Sequence, residues 1–273
     1  MTLLLALLAC GLDFGNSSVV TDVQIIATVI EPPEVFPQES IEVQLTIADP
    51  QGRQLEAMVW ICLPADGQCL ESVVPVRSWA RVADVLDEHA SFVFQGTPVD
   101  IDFGVDRLDT YVHALVCVKD TCPIMQAVRS AGLEPDGTLG TTLADPESLL
   151  RELPFDGTHY AVKSLPILFD RAIDRNWNPR VVPVFDRISA YEANDVIGLS
   201  YKITDANGDP ATGYGFTTVG VFDAPKVAVS RSELSMLWIA PTDPADLKSG
   251  SVFVVVEDDR GGTVVWRDDL TPL

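Results

Sequence analysis

The sequence predicts an all-β protein made of two β-sandwiches in tandem. Apolar and polar residues alternate from Ile41 to Ile47 and again from Ile197 to Ile203, which is the period of a strand with one buried face. Each run is followed by an aspartate and, three residues later, a glycine (Asp49–Gly52 and Asp205–Gly208), a pattern typical of a turn. A chain of 273 residues is long enough for two domains.

The two halves repeat each other at constant offsets. Near the start of each half, Ile41, Val43, Leu45, Ile47, Asp49 and Gly52 match Ile197, Leu199, Tyr201, Ile203, Asp205 and Gly208. Near the end of each half, Val116, Val118 and Asp120 match Val254, Val256 and Asp258. An early alternating strand and a late β-rich hairpin in both halves predict two copies of one sandwich architecture.

The N-terminus has the features of an export signal. Leu3 to Ala9 is an uninterrupted apolar run, shorter than the about 20 residues that a bilayer-spanning helix needs. Leu7-Leu8-Ala9-Cys10 resembles a bacterial lipobox, in which the cysteine receives the lipid. The resemblance implies lipidation at Cys10 in the bacterial cell envelope, and Gly11 after the cysteine favours the outer membrane. The alternative is an ordinary buried first strand.

Composition and turn residues divide the chain into segments. We expect a signal peptide (1–9), a tether (10–21), a first sandwich (22–170) with an insertion (130–158), a linker (171–178) and a second sandwich (179–273). The β-prone segments of the first sandwich are Val23–Ile30, Ile41–Ile47, Leu55–Cys62, Ser91–Phe94, Val99–Phe103, Tyr111–Val118, Ile124–Val128 and Ala161–Phe169. Apolar residues at helical spacing predict a short helix or irregular crossover between Val76 and His89, and Asp145-Pro146 opens a second short helix.

Four cysteines remain after Cys10, and they predict two disulfides. Cys62, Cys69, Cys117 and Cys122 form two close pairs in a chain with an export signal. Local pairing, Cys62–Cys69 and Cys117–Cys122, is favoured because each pair would close a short turn-like loop. Crossed pairing stays open, since Cys62 and Cys117 each end a predicted core strand. A four-thiol zinc site is a further alternative, although these spacings are unlike those of zinc ribbons.

Composition also limits the function classes. The net charge of −22, from 40 acidic and 18 basic residues, repels nucleic acid and anionic lipid headgroups, which excludes nucleic-acid binding. The sequence contains no Gly-x-Ser-x-Gly, phosphate-loop or His-Glu-x-x-His motif, and no recognisable motif surrounds His89, His113 or His159. We therefore expect the protein not to be an enzyme.

Clustered side-chain oxygens suggest a bound cation. Asp100 and Asp102 would share one face of a strand, and Asp205, Asn207 and Asp209 crowd one turn. Calcium prefers several oxygen ligands, which loops at a junction between tandem modules can supply, so these five residues are a candidate calcium site. The alternative is a set of solvated turns whose side chains bond to local backbone. Paired acids could also serve glycoside hydrolysis, but no cleft motif accompanies them.

The turn motifs point to a family. The Asp-x-x-Gly turns, the Pro32-Pro33 break and the closing turn at Asp258–Gly262 resemble those of bacterial immunoglobulin-like (Ig-like) domains of the cadherin or fibronectin type. The whole chain is similar to cell-envelope lipoproteins with tandem Ig-like modules. The resemblance implies a non-enzymatic, lipid-anchored protein that presents its domains to an unknown protein or glycan partner. A calcium-rigidified adhesion or carbohydrate-binding module is the alternative.

Overall fold

A computed structural model of the chain describes six ranges: 19–62, 79–94, 105–132, 153–154, 156–184 and 190–273. Within them, four β-sheets form two sandwiches, and one α-helix lies between strands of the first sandwich. This confirms the predicted all-β class. In these ranges no helix is both long and apolar enough to cross a membrane.

The first sandwich has seven strands. They are β1 (Gln24–Glu31), β2 (Ile41–Ala48), β3 (Leu55–Cys62), β4 (Trp79–Asp84), β5 (His89–Phe94), β6 (Arg107–Val118) and β7 (Thr158–Leu168). One sheet has the order β1-β2-β5 and the other β4-β3-β6-β7. Strands A, B and E face strands C, F and G in this way in Ig-like sandwiches. The alternating side chains of β2 face inward, and Ile41, Val43, Leu45 and Ile47 are buried in the core between the sheets.

The second sandwich has nine strands. They are β8 (Arg180–Pro183), β9 (Ala190–Tyr191), β10 (Val196–Thr204), β11 (Ala211–Thr217), β12 (Val221–Phe222), β13 (Lys226–Ala228), β14 (Glu233–Ile239), β15 (Gly250–Asp258) and β16 (Thr263–Pro272). Its sheets have the orders β12-β14-β10-β8 and β13-β11-β15-β16-β9. The repeated residues of the sequence therefore lie on equivalent strands, β2 with β10 and β6 with β15.

Two predicted elements of the first sandwich are wrong. The expected helix or crossover between Val76 and His89 gives way to strand β4, because β4 pairs with β3 from Ile61 to Glu56 and this ladder overrides the helical spacing. The expected strand Ile124–Val128 lies in a helix, α1 (Pro123–Ala131). Proline at the first helical position favours that start. The predicted strand 99–103 and the helix after Asp145 lie outside the described residues.

Helix α1 covers the outer face of β3 and β6. Its buried residues Ile124, Met125 and Val128 pack against Met58, Trp60 and Leu115. A disulfide between Cys117 and Cys122 joins the end of β6 to the start of α1. Arg129 of the helix lies 2.5 Å from Oε2 of the fully buried Glu56 on β3. Helix α1 thus forms an apolar cover on this sheet.

The two sandwiches pack against each other through an apolar interface. The outer face of β1 and β2 contacts the outer face of β11 and β15. The buried residues of this contact are Val20 from the segment before β1, Ile26, Ala27 and Ala48 from the first sandwich, and Phe216, Phe253 and Val255 from the second. Side chains buried this completely resemble a domain core more than a mobile contact between domains. The interface holds together the ends of the two sandwiches that the linker connects.

Candidate functional site at the domain junction

Four loops meet where the linker joins the two sandwiches. They are the segment after β1 (32–35), the linker (170–179), the turn between β10 and β11 (205–210) and the turn between β15 and β16 (258–262). We call the polar side chains of these four loops the junction. The β-sandwich brings the two turns to one end of the second sandwich, because β10 and β15 both end there.

Glu34 is at the centre of the junction and is fully buried. Its Oε1 accepts from Arg107 Nη1 at 3.1 Å, and its Oε2 accepts from the backbone N–H of Asn176 at 2.7 Å. Arg260 of the second sandwich donates to the same Oε2 at 2.6 Å. One carboxylate therefore holds the first sandwich, the linker and the second sandwich together.

Asn176 and Asp258 form the buried part of the junction on the other side of the linker. Asn176 Nδ2 lies 3.1 and 3.2 Å from the two carboxylate oxygens of Asp258. Asp258 Oδ1 also accepts from the backbone N–H groups of Arg260 and Gly262 at 2.9 and 2.8 Å. Gly262 is required here because a Cβ at this position would clash with the Asp258 carboxylate. Burial raises the pKa of Asp258, although the donated hydrogen bonds oppose that rise.

The turn at Asp205 has a counterpart in the first sandwich, and the comparison reveals a charge difference. Asp49 accepts from the backbone N–H groups of Gln51 and Arg53, and the Arg53 side chain pairs with it at 2.7 Å. Asp205 likewise accepts from the backbone N–H groups two and four residues later, at 2.9 and 3.0 Å. Asp209, however, stands at the repeat position of Arg53. The second turn therefore has two carboxylates where the first has an ion pair.

Three oxygens at the junction are buried without a hydrogen-bond donor. They are Oδ1 of Asn176, Oδ2 of Asp205 and Oδ2 of Asp209. Burial raises the pKa of Asp209, and the carboxylates of Asp205, Asp259 and Asp174 add to that rise. Arg260 offsets part of it, with its Nη1 3.8 Å from Asp209 Oδ2. Buried acceptors without donors are unfavourable, so each of these oxygens would be stabilised by a donor or a cation within reach.

A second polar contact crosses between the sandwiches near the junction. Lys163 on β7 is buried, and its Nζ lies 2.7 Å from Glu257 Oε1 and 2.5 Å from Thr263 Oγ1. Asn178 of the linker accepts from the backbone N–H of Thr263 and donates to the backbone carbonyl of Ile30. Hydrogen bonds and ion pairs are directional, so these contacts restrict the relative orientation of the two sandwiches at the apolar interface.

The structure brings together only part of the predicted calcium set. Asp205 and Asp209 lie at the junction, but the Asn207 side chain is occupied by the linker: its Oδ1 accepts from the backbone N–H of Trp177, and its Nδ2 donates to Asp174 and Arg175. Asp100 and Asp102 lie outside the described residues. Within the described ranges no three histidine, cysteine, aspartate or glutamate residues are arranged to hold a metal. A cation would need the asparagine oxygen as well.

The described cysteines settle two of the alternatives. The disulfide predicted from the spacing of Cys117 and Cys122 is present, which removes the four-thiol zinc site. Crossed pairing of Cys62 with Cys117 is wrong, because Cys62 pairs with Tyr111 in the ladder and Cys117 lies six residues further along β6. That separation is roughly 20 Å along the strand, far beyond disulfide reach. The Cys62 side chain, Cys69 and the lipidation residue Cys10 lie outside the described part.

The three histidines have separate surroundings. His113 stacks on Trp60 at 5.1 Å between ring centroids and hydrogen-bonds to the hydroxyl of Tyr160. His159 Nδ1 accepts from the backbone N–H of Ile25 at 3.2 Å, and burial lowers its pKa. His89 is exposed on β5. Each is accounted for by packing or by strand contacts.

Sequence reasoning missed the residues that hold the junction together. Glu34, Lys163, Asn176 and Arg260 each find their partners in another segment of the chain. Burial of a charged residue produces no periodic pattern in the sequence, so the sequence could indicate only the segment in which such a residue lies. The glutamate directly after the Pro32-Pro33 break and the polar linker could have marked the junction.

Comparisons with known proteins add weak similarities. No protein-family model matches the chain, and no curated protein sequence matches it. The N-terminal Ig1-2 module of the Drosophila receptor protein tyrosine phosphatase DLAR is 11% identical, over 93% of this chain and 100% of that one, with a TM-score of 0.28. Titin domains Z1Z2, solved in complex with telethonin, are 13% identical over 93% and 98%, with a TM-score of 0.22.

A third similarity covers a smaller part of the chain. A nucleoside hydrolase-related hypothetical protein from Saccharophagus degradans is 14% identical, over 36% of this chain and 26% of that one, with a TM-score of 0.28. TM-scores below 0.5 do not establish that two proteins share an arrangement of strands. The Ig-like assignment therefore rests on the strand order of the two sandwiches.

Proposed function

We propose that the protein is a non-enzymatic binding or scaffolding module, anchored by lipid at Cys10 in the bacterial cell envelope, at the outer membrane. The observation that carries the proposal is the continuous interface between the sandwiches. Apolar side chains such as Ile26 and Phe253 are buried in it, and the Glu34–Arg260 pair lies beside it. A pair of domains held in this way presents its loops to a protein or glycan partner as one body, which lowers the entropy cost of binding.

The anchoring part of the proposal rests on the sequence. A lipobox-like segment supplies the acylated cysteine of an exported lipoprotein, and an even number of further cysteines is typical of folding in an oxidising compartment. The Cys117–Cys122 disulfide is consistent with folding outside the cytoplasm. The test is intact mass of the protein extracted from membranes of the producing cell, beside a Cys10→Ser variant.

The wild-type mass is expected to show cleavage before Cys10, acyl chains on the new N-terminus and oxidised cysteines. The Cys10→Ser variant is expected to leave the membrane fraction. Wild-type protein recovered from the cytosol with Met1 attached and reduced thiols would overturn the anchor. Partner binding is tested separately, by chemical cross-linking of intact cells, where recovery of the uncross-linked chain alone would argue against a partner.

A calcium-rigidified adhesion or carbohydrate-binding module is the second candidate. It is favoured by the three donor-less oxygens at the junction and by Asp209 at the repeat position of Arg53. A cation among these oxygens would hold the linker to the second sandwich. Thermal unfolding with calcium and with chelator distinguishes the candidates, since an unchanged midpoint would leave only the metal-independent module.

A further inference from the structure

One sheet face of the second sandwich is apolar and exposed. On β8, β10, β12 and β14, or directly after β8, five large hydrophobic residues are exposed, each between 43% and 67%: Val182, Val184, Val196, Val221 and Leu237. Small residues (Gly198, Ser200 and Ser235) and charged ones (Arg180, Lys202 and Glu233) share this surface. We call this surface the valine face. Contiguous apolar patches on a soluble domain mark interaction sites.

The other outer sheet faces of the described structure are partly covered by the chain itself. The outer face of β1 and β2 packs on the outer face of β11 and β15. The outer face of β3 and β6 lies under helix α1. Single apolar side chains remain exposed beside these covers, Val93 on β5 and Tyr111 on β6. The valine face has more exposed apolar side chains and no cover among the described residues, so it is the face that we expect a second copy to use.

We propose that the valine face binds the valine face of a second copy, related by a two-fold axis that runs between β10 and β14 parallel to the strands. The inference goes beyond the proposed envelope function and does not depend on it. Such an axis exchanges β10 of one copy with β14 of the other. Each β10–β14 residue pair then lies opposite the same pair of the second copy, so the β10 residue of one copy faces the β14 residue of the other.

The register of β10 and β14 makes this arrangement self-complementary. Lys202 is paired with Glu233 across the two strands, so exchange of the strands places each lysine opposite the glutamate of the other copy. Gly198 is paired with Leu237, so each leucine faces the space above a glycine. Two reciprocal ion pairs and two reciprocal leucine–glycine contacts follow from one axis. Opposite charges at the edge of an apolar centre are the usual composition of a specific interface.

The size of the face sets the expected strength. The β10–β14 ladder has seven residue pairs, whereas β8 and β12 have four and two residues and flank opposite ends of it. At about 3.3 Å per residue and 4.8 Å between strands, the footprint is roughly 300 Å² per copy. This is below the usual size of a stable protein interface. We therefore expect a weak, reversible dimer, which is favoured when both copies are held on one membrane surface.

The decisive experiment mixes two charge variants of the full chain in analytical ultracentrifugation. In Lys202→Glu alone and in Glu233→Lys alone, each homodimer would place like charges opposite each other, so both are expected to be monomeric. In an equimolar mixture, both contacts of a heterodimer join opposite charges, so dimers are expected to return. The cross-strand repulsion within each chain is the same before and after mixing, so only an intermolecular contact explains the recovery. Lys248→Glu, outside this sheet, is the charge control.

A second variant tests the apolar centre. Leu237→Asp is expected to raise the dissociation constant at least tenfold, whereas Leu86→Asp, at an exposed leucine of the first sandwich, is expected to leave it unchanged. Circular dichroism verifies that each variant is folded. A wild-type chain that stays monomeric up to high concentration, or a mixture of charge variants that stays monomeric, would overturn the proposal. A wild-type dimer that Leu237→Asp does not weaken would also overturn it.

Discussion

Arg260 Nη2 lies 2.6 Å from Oε2 of Glu34, so a turn of the second sandwich neutralises a carboxylate that is fully buried at the end of the first. Neither side chain has a partner close in sequence. Arg260 also donates to the backbone carbonyl of Asp174 at 2.7 Å. The guanidinium therefore joins both sandwiches and the linker, which makes the orientation of the sandwiches depend on one buried charge.

Replacement of that carboxylate is expected to destabilise the chain. Glu34→Gln keeps the shape of the side chain but removes the buried counter-charge of Arg260 and Arg107, which then have only Asp209 and Asp109 as ion-pair partners. Removing one partner of a buried pair costs several kcal/mol, and the partial exposure of both arginines lowers our expectation to about 2–4 kcal/mol. Urea unfolding measures the change. Glu42→Gln, at a carboxylate bonded to Gln44 and Ser91 on the surface, is the matched control, and an equal loss in both variants would contradict the role of Glu34.

The apolar interface is expected to decide whether the sandwiches move as one body. Ile26→Asp places a charge in the interface, where Ile26 is 1% exposed, and desolvation of that charge opposes packing. We expect one thermal transition for the wild type and two for the variant, and we expect small-angle scattering to show a larger maximum dimension for the variant. Val93→Asp lies on the same outer sheet face in an exposed position and should change neither. Two transitions in the wild type would show that the interface does not couple the sandwiches.

The fold class was predictable because it depends on local periodicity. The alternation around Val43 and Leu199 and the turns at Asp49 and Asp205 are written in consecutive residues. The junction was not predictable, because Glu34 and Arg260 are distant in sequence and a charge gives no sign of burial. Helix α1 was missed for a related reason. Its apolar segment is too short for its length to distinguish a helix from a strand, and the face that it buries is determined by the sheet beneath it.

Asp209 provides a test of the cation alternative. Burial and three neighbouring carboxylates raise its pKa, so its charged form is less favourable in the folded chain than in the unfolded chain. Asp209→Asn is therefore expected to raise the unfolding midpoint in chelator. If the junction binds calcium, added calcium stabilises the wild type in proportion to the logarithm of its concentration and stabilises the variant less. Asp246→Asn, at an exposed aspartate, is the control. Equal calcium responses of wild type and Asp209→Asn would remove Asp209 from any site.

Acid stability is expected to depend on His113. Burial between β-strand neighbours and Trp60 lowers its pKa to about 4, from an ordinary value near 6.5. A base with a depressed pKa in the folded state is protonated first in the unfolded chain. The free energy of unfolding is therefore unaffected by the titration of His113 above pH 6.5. It falls as the pH decreases towards 4, by about 3 kcal/mol in total.

Other groups titrate nearby, so the histidine must be isolated by a difference. Asp209, Asp258 and Glu88 have raised pKa values, and their protonation in the folded state favours folding as the pH falls, opposite to His113. The pKa of Asp22 is lowered to about 2 by its hydrogen bond to Arg53, so its stabilisation is lost only below about pH 3.8. A comparison between two chains that share these carboxylates cancels their effects.

The suitable pair is Tyr160→Phe and the double variant His113→Phe, Tyr160→Phe. The tyrosine hydroxyl is the hydrogen-bond partner of His113, so its removal from both chains avoids leaving a buried hydroxyl unpaired in one of them. Urea unfolding between pH 7 and pH 4 should show the single variant losing about 3 kcal/mol relative to the double variant, because only the single variant retains the buried imidazole. Parallel curves across this range would mean that His113 binds its proton equally well in the folded and unfolded chains, and would contradict a desolvated histidine under α1.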